Sequence, residues 1–137
     1  MGGLLTHLSV AGIGFSVIFL LFHKHKWKYF FAIAFAFGHL FPDLLDFGIT
    51  GILNRTLNPV EIVLIPLFDK LRWLGHTGIN WIIFGLIGGI SLSLFYKFEK
   101  ISKKQFVNSM NVLSFFLLGI AIHLLIDVLI IEKSYWI

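Results

Sequence analysis

Four runs of apolar residues, each about as long as a helix needs to cross a bilayer, constrain this chain more than any other feature. They lie at about 4–22, 29–46, 77–96 and 112–131. A hydrocarbon core of ~30 Å takes about 20 apolar residues per helix, so 137 residues hold four crossings and short connections. Within lipid every backbone polar group must be satisfied inside the fold, which leaves helices or closed barrels. These runs are uniformly apolar and lack the in-and-out alternation of barrel strands. The expected architecture is an all-α membrane protein, a single domain over 1–137 with four transmembrane helices. Composition agrees, since 58% hydrophobic and 13% charged residues are too apolar for a water-soluble domain of this size.

Between the second and third runs, residues 47–75 mix apolar stretches with Pro59, Pro66, Arg55, Glu61, Asp69, Lys70 and Arg72. The IVLIPLF stretch is too short to cross and is broken by proline, so this segment is expected to be interfacial or re-entrant. The second span is expected to run through FFAIAFAFGHLF until Pro42 and to be finished by Asp46. In the third span, Gly85, Gly88 and Gly89 invite close approach of another helix. No lysine or arginine precedes the first run and no small-residue cleavage site follows it, so it reads as a retained span. Tyr135 and Trp136 fit an aromatic belt at the membrane surface.

Charge sets the expected direction. Lys24, Lys26 and Lys28 follow the first span, and Lys97, Lys100, Lys103 and Lys104 join the third to the fourth. Both clusters fall on one side, which the positive-inside rule makes cytoplasmic. Arg55, Lys70, Arg72, Lys133 and all acidic residues except Glu99 fall on the other. The chain is thus expected in the cytoplasmic membrane of a prokaryote with both termini outward. The net charge of +4 then reads as a topology signal, and no nucleic-acid partner is expected.

A depth count at ~1.5 Å per residue gives a convergence. His7 lies about 22 Å above Phe22, and His39, Asp43 and Asp46 about 17, 22 and 27 Å above Lys28. His76 sits at the outer end of the third helix, and His123 and Asp127 are about 22 and 28 Å above Asn108. Every span contributes to one layer in the outer half of the membrane. His39 and Asp43 are four apart, as are His123 and Asp127, so each pair projects from one helical face.

Each group also has a plainer explanation. His7 can be a helix-start residue at the interface, Asp43 and Asp46 can end a helix in headgroup water, and His76 can be a loop histidine. His23 and His25 read as solvated. The pair in LLGIAIHLLIDVLII is harder to dismiss, because an unpaired aspartate there costs ~2.5–3.5 kcal/mol on the insertion scale. Intramembrane ionisable groups usually face a cavity, a partner or an ion.

With no cysteine in the chain, a metal would be held by nitrogen and oxygen, which suits zinc, manganese or iron. His7, Asp43, His76, His123 and Asp127 supply five ligands, enough for one closed site or two ions sharing a carboxylate. Asp46 or His39 could orient a ligand or accept a proton. Arg55 and Arg72, on the same side, could meet a substrate phosphate; interfacial anchoring explains them equally simply.

The series THL at Thr6–Leu8, GHLFPDLLD at Gly38–Asp46, GHTG at Gly75–Gly78 and HLLID at His123–Asp127 resembles the YdjM-like family of membrane-bound metal-dependent hydrolases. That family is similar in motif order to the zinc-dependent phospholipase C and single-strand nuclease superfamily. The resemblance implies that His7, Asp43, His76, His123 and Asp127 are ligands, that Asp127 can bridge two ions, and that Asp43 serves as general base. Asp46 shares the catalytic assignment, because the acidic pair is spaced PDLLD where the membrane family has a tighter PDxD. Only Glu132 is available downstream, so a three-metal centre is not expected.

The function expected from residues and resemblance together is a metal-dependent hydrolase, a phosphoesterase holding one or two zinc ions and acting on a phospholipid or other membrane-proximal phosphate ester. Membrane lipid is its expected partner. Two rivals belong to other classes: an ion or proton carrier using the same His/Asp cluster, and a metal-binding membrane protein without catalysis. A haem protein ranks below these, since the aspartates are poor haem ligands.

Overall fold

A computed structural model describes residues 3–130; Glu132, Lys133, Tyr135 and Trp136, to which the sequence assigns roles, lie outside them. The chain is all-helical, with no strand among the described residues. Its elements are α1 (Leu4–Leu21), α2 (Lys28–Asp43), a π-helical segment (Leu44–Gly48), α3 (Ile49–Asn54), α4 (Pro59–Ile62), α5 (Pro66–His76), α6 (Gly78–Lys97) and α7 (Lys103–Leu129). Four helices are long and apolar enough to cross a membrane: Leu4–Leu21, Lys28–Asn54, Gly78–Lys97 and Lys103–Leu129.

The second span does not stop near Pro42. Proline removes one backbone donor and crowds the preceding turn, yet the helix passes through it, widens into the π-helical segment and continues to Asn54. Packed membrane helices accommodate such defects by local 3₁₀ or π adjustment, and π-turns recur at functional sites. Beyond Asn54, Arg55 adopts a left-handed conformation (φ 54°) and Thr56 N–H returns to the Gly51 carbonyl at 3.0 Å, closing the helix.

The fourth span begins earlier than its apolar run, at Lys103, because Ser102 and Gln105 form a reciprocal capping box. Ser102 N–H donates to Gln105 Oε1 at 2.8 Å, and Gln105 N–H donates to Ser102 Oγ at 3.3 Å. Two orphan donors at the helix start are thereby satisfied.

The interfacial segment contains two short helices. Asn58 caps α4 by accepting from Val60 N–H, and Pro59 opens it. Exposed Glu61 accepts from Thr56 Oγ1 and Asn58 Nδ2, and these bonds hold its carboxyl below the usual range. Helix α5 buries Phe68, whose ring meets Phe47 edge-on at 4.8 Å, and leaves Trp73 outward.

At the centre, α2 packs on α1 and α7, while α6 packs mainly on α7. The closest backbone approach is between α2 and α7. A Cβ on Gly38 would lie 2.1 Å from the Phe116 carbonyl oxygen, and one on Gly119 would lie 2.2 Å from that of Phe35. Glycine alone permits this contact. The glycines of α6 serve differently: Gly85 and Gly88 receive the side chains of Leu117 and Leu113, not a neighbouring backbone.

Burial is inverted relative to a soluble bundle. Ile13, Leu86 and Val128 face outward, whereas His7, His39, Asp46, Thr50 and His123 are fully enclosed. Such a surface suits lipid as solvent. Towards the lysine-bearing end the interior is apolar, built from Ile18, Phe31, Ala32 and Phe35 with Phe15, Phe19, Trp27, Val112, Phe115 and Ile122 around them. Towards the other end it is histidine and carboxylate.

Candidate metal centre

The polar end of the interior is assembled from four places in the chain. His7 comes from α1; His39 and Asp43 from α2, with Asp46 in the π-helical segment; His76 from the last position of α5; His123 and Asp127 from α7. His39, Asp43, Asp46 and Thr50 follow one another at spacings of four, three and four, which keeps them on one face of the long second helix. The Gly38–Gly119 contact draws that face against α7, and Gly75 places the end of α5 on Pro42, where a Cβ would lie 3.1 Å from the proline oxygen.

The geometry at His76 and His123 is the tightest. Their Nε2 atoms are 3.3 Å apart. Asp127 Oδ2 lies 3.3 Å from His76 Nε2 and 3.5 Å from His123 Nε2. Asp43 Oδ1 lies 3.6 Å from each. Ligands at about 2.0–2.2 Å in a regular tetrahedron sit about 3.3–3.6 Å from one another. Asp43, His76, His123 and Asp127 thus present four ligand atoms at that spacing, and buried His/Asp groups here could hold a metal ion.

A second group adjoins it. His7, His39 and His123 are fully buried and also fall within ligand range of one another. His39 Nδ1 lies 3.2 Å from the Gly119 carbonyl. A carbonyl only accepts, so this nitrogen carries the proton and His39 Nε2 offers a lone pair. His7 Nδ1, 3.2 Å from that lone pair, must then donate. A neutral His7 would consequently turn a bare Nε2 towards Asp127 Oδ1 at 3.2 Å. Two acceptors cannot satisfy each other. The tautomer chain therefore calls for one positive charge between them, a proton or a metal ion.

The wider charge balance points the same way. Asp43, Asp46 and Asp127 share this enclosed space with four histidines, and uncompensated carboxylates are costly away from water. Asp46 is fully buried; its Oδ1 accepts from Phe47 N–H at 2.6 Å and its Oδ2 faces His76 Nδ1 at 3.4 Å. That is the carboxylate behind an imidazole which commonly orients a metal-binding histidine. Burial alone would lower the pKa of His76, but Asp127, Asp43 and Asp46 together raise it to about 9. His123 Nδ1 is buried and has no hydrogen-bond partner.

All seven residues singled out along the spans thus meet at one place, although their assigned roles differ in detail. His39, expected only as an auxiliary group, stands among the trihistidine ligand set. Asp43 and Asp127 are open on one side, with side chains 19% and 11% exposed, and His76 is 14% exposed. Arg72 lies one turn before His76 on α5 and acts electrostatically on Asp46. Arg55 is not drawn in, since it ends α3 on the order of 13 Å along the helix from Asp46 and is exposed there. His23 and His25 lie in the exposed turn at the opposite end.

No family model, curated protein or solved structure matches this chain.

Proposed function

We propose that the protein is a metal-dependent hydrolase of the membrane, a phosphoesterase acting on a lipid-borne or membrane-proximal phosphate ester from the extracytoplasmic side. The observation that carries this reading is the spacing of Asp43, His76, His123 and Asp127, whose ligand atoms stand 3.3–3.6 Å apart. Zinc suits a set of imidazoles and carboxylates at tetrahedral distances. A divalent ion held there supplies Lewis acidity towards a phosphoryl oxygen and acidifies water. Asp43, the most open of the three carboxylates, is placed to take a proton from an attacking water. Asp46 holds His76 from behind. Arg72 offers a charged donor to a phosphate.

A carrier built on the same cluster is less well supported. The apolar packing of Ile18, Phe31, Phe35 and Phe115 closes the interior towards the lysine-bearing end, and proton or ion relays through a membrane normally use polar side chains along the path.

The test is elemental analysis of protein purified without chelators, together with hydrolysis of a phosphodiester in the same micelles. About one or two ions per chain, and turnover lost in His123→Ala and Asp127→Ala, are expected. A wild-type protein that binds no zinc or manganese and behaves like both variants would defeat the proposal. Metal without turnover would leave a metal-binding protein and remove the hydrolase.

A further inference from the structure

His76 is the one cluster residue that does not belong to a membrane-spanning helix. It closes α5, and at Thr77 the backbone turns extended (φ −98°, ψ 110°) before α6 begins. The last carbonyls of a helix lack intrahelical donors, and a ligand at such an end is only as well placed as the end itself. Here α6 supplies the missing donors from side chains. Trp81 Nε1–H donates to the Gly75 carbonyl at 2.7 Å, and Asn80 Nδ2 donates to Leu74 O at 3.0 Å and Trp73 O at 3.3 Å.

Trp81 is itself wedged between helices. Its ring meets Phe41 of α2 at 5.8 Å, Phe84 of α6 at 5.8 Å and Phe116 of α7 at 6.3 Å, each edge to face. Every neighbouring ring is phenylalanine, so what tryptophan adds at this position is an N–H. In a setting poor in water that N–H must find an acceptor, and the one it finds is the carbonyl of the residue immediately before His76. Phe41 and Phe116 in turn flank the places where α2 touches α5 and α7, through Pro42 and Gly38.

We infer that Trp81 is a positioning residue for the metal centre, pinning the end of α5 to α2 and α7 so that His76 meets Asp43, His123 and Asp127. The inference rests on the metal-binding reading, and the experiment separates the two. Co²⁺ serves as a spectroscopic probe of nitrogen and oxygen ligation and is titrated into full-length protein in detergent micelles. Trp81→Phe keeps the ring and removes the donor. It is expected to weaken Co²⁺ binding on the order of tenfold, the lower end for loss of an outer-sphere partner. In a His76→Ala background the same substitution should cause no further loss, because its effect runs through His76. Trp73→Phe, on the outward side of α5, should bind like the wild type.

A metal-free readout accompanies this. Diethyl pyrocarbonate should modify His76 several-fold faster in Trp81→Phe than in the wild type, with exposed His23 as internal standard. Wild-type Co²⁺ affinity combined with wild-type protection of His76 overturns the inference. So does an equal additional loss in the His76→Ala background. If the wild type binds no Co²⁺, the metal-binding reading fails and the protection of His76 alone decides the role of Trp81.

Discussion

Asp127 reaches His76 across the bundle, its Oδ2 3.3 Å from the imidazole Nε2 of a residue that precedes α6. Its other oxygen lies 3.2 Å from His7 Nε2 on α1. One carboxylate thus joins the ends of three elements. Asp127→Asn, which keeps the shape and removes the charge, is expected to weaken zinc binding by more than the roughly 10–100-fold typical of outer-sphere changes. Isothermal titration of chelator-treated protein in micelles measures this directly, and an unaltered affinity would remove Asp127 from the ligand set.

The two acidic residues of the second helix should separate by role. Asp46 is enclosed behind His76 Nδ1, whereas Asp43 is partly open. Asp46→Asn should cost metal affinity by about 10–100-fold. Asp43→Asn should keep most of the metal and lose turnover, as expected for a general base worth roughly 10²–10⁴ in rate. Paired metal analysis and phosphodiester kinetics would expose the reverse assignment.

Acidity enters through His76. The carboxylates beside it raise its folded pKa to about 9, above the ordinary value near 6.5. Its contribution to the stability of the metal-free protein is therefore fully present below about pH 6.5 and is lost as pH rises through about 9. Thermal unfolding of chelator-treated protein should accordingly weaken between those values, and this slope should vanish in His76→Ala. A metal needs the neutral imidazole, so zinc uptake near pH 7 should release protons to the buffer.

Gly119→Ala would set a methyl 2.2 Å from the Phe35 carbonyl oxygen and 2.7 Å from His39 N. Backbone cannot swing aside as a side chain can, so α2 and α7 must part. The expected cost is at the upper end of the ~1–3 kcal/mol of overpacking, or beyond it. Gly12→Ala, with open space around it, should be neutral or stabilising by up to ~1 kcal/mol. Comparative melting in one detergent tests the pair.

Membrane direction can be read by impermeant thiol labelling, since the chain has no cysteine of its own. Leu57→Cys (82% exposed) and Lys100→Cys lie on opposite sides of the bundle. Leu57→Cys should label from outside intact cells and Lys100→Cys only after lysis. The opposite pattern would place the metal centre on the cytoplasmic side.

Much of the architecture is written in hydrophobicity, because lipid allows few alternatives to a helix of about 20 apolar residues. The depth layer of His7, Asp43, His76, His123 and Asp127 was legible for the same reason: the rise per residue is fixed, so position along a span is height. What escaped depends on lateral packing. Pro42 looked like a terminus because local propensity disfavours it within a helix, and only the π-helical adjustment lets the span reach Asn54. The glycines of α6 drew notice by their number, while the backbone contact fell to Gly38 and Gly119. His39 was underweighted because its importance lies in the Gly119 carbonyl that fixes its tautomer, a partner no sequence spacing reveals. Trp81 and Asn80 gave no signal of their own.

The π-helical segment also makes the second span unusually sensitive to the number of its residues, apart from their identity. Deleting one residue within Leu44–Gly48 would let the helix regain its regular pitch, and everything beyond would rotate by about 100°. Thr50, now enclosed, would swing out of the interior, and outward-facing Ile52 and Leu53 would change azimuth with it. Single-codon deletions along this stretch should therefore be tolerated far less than substitutions at the same exposed positions.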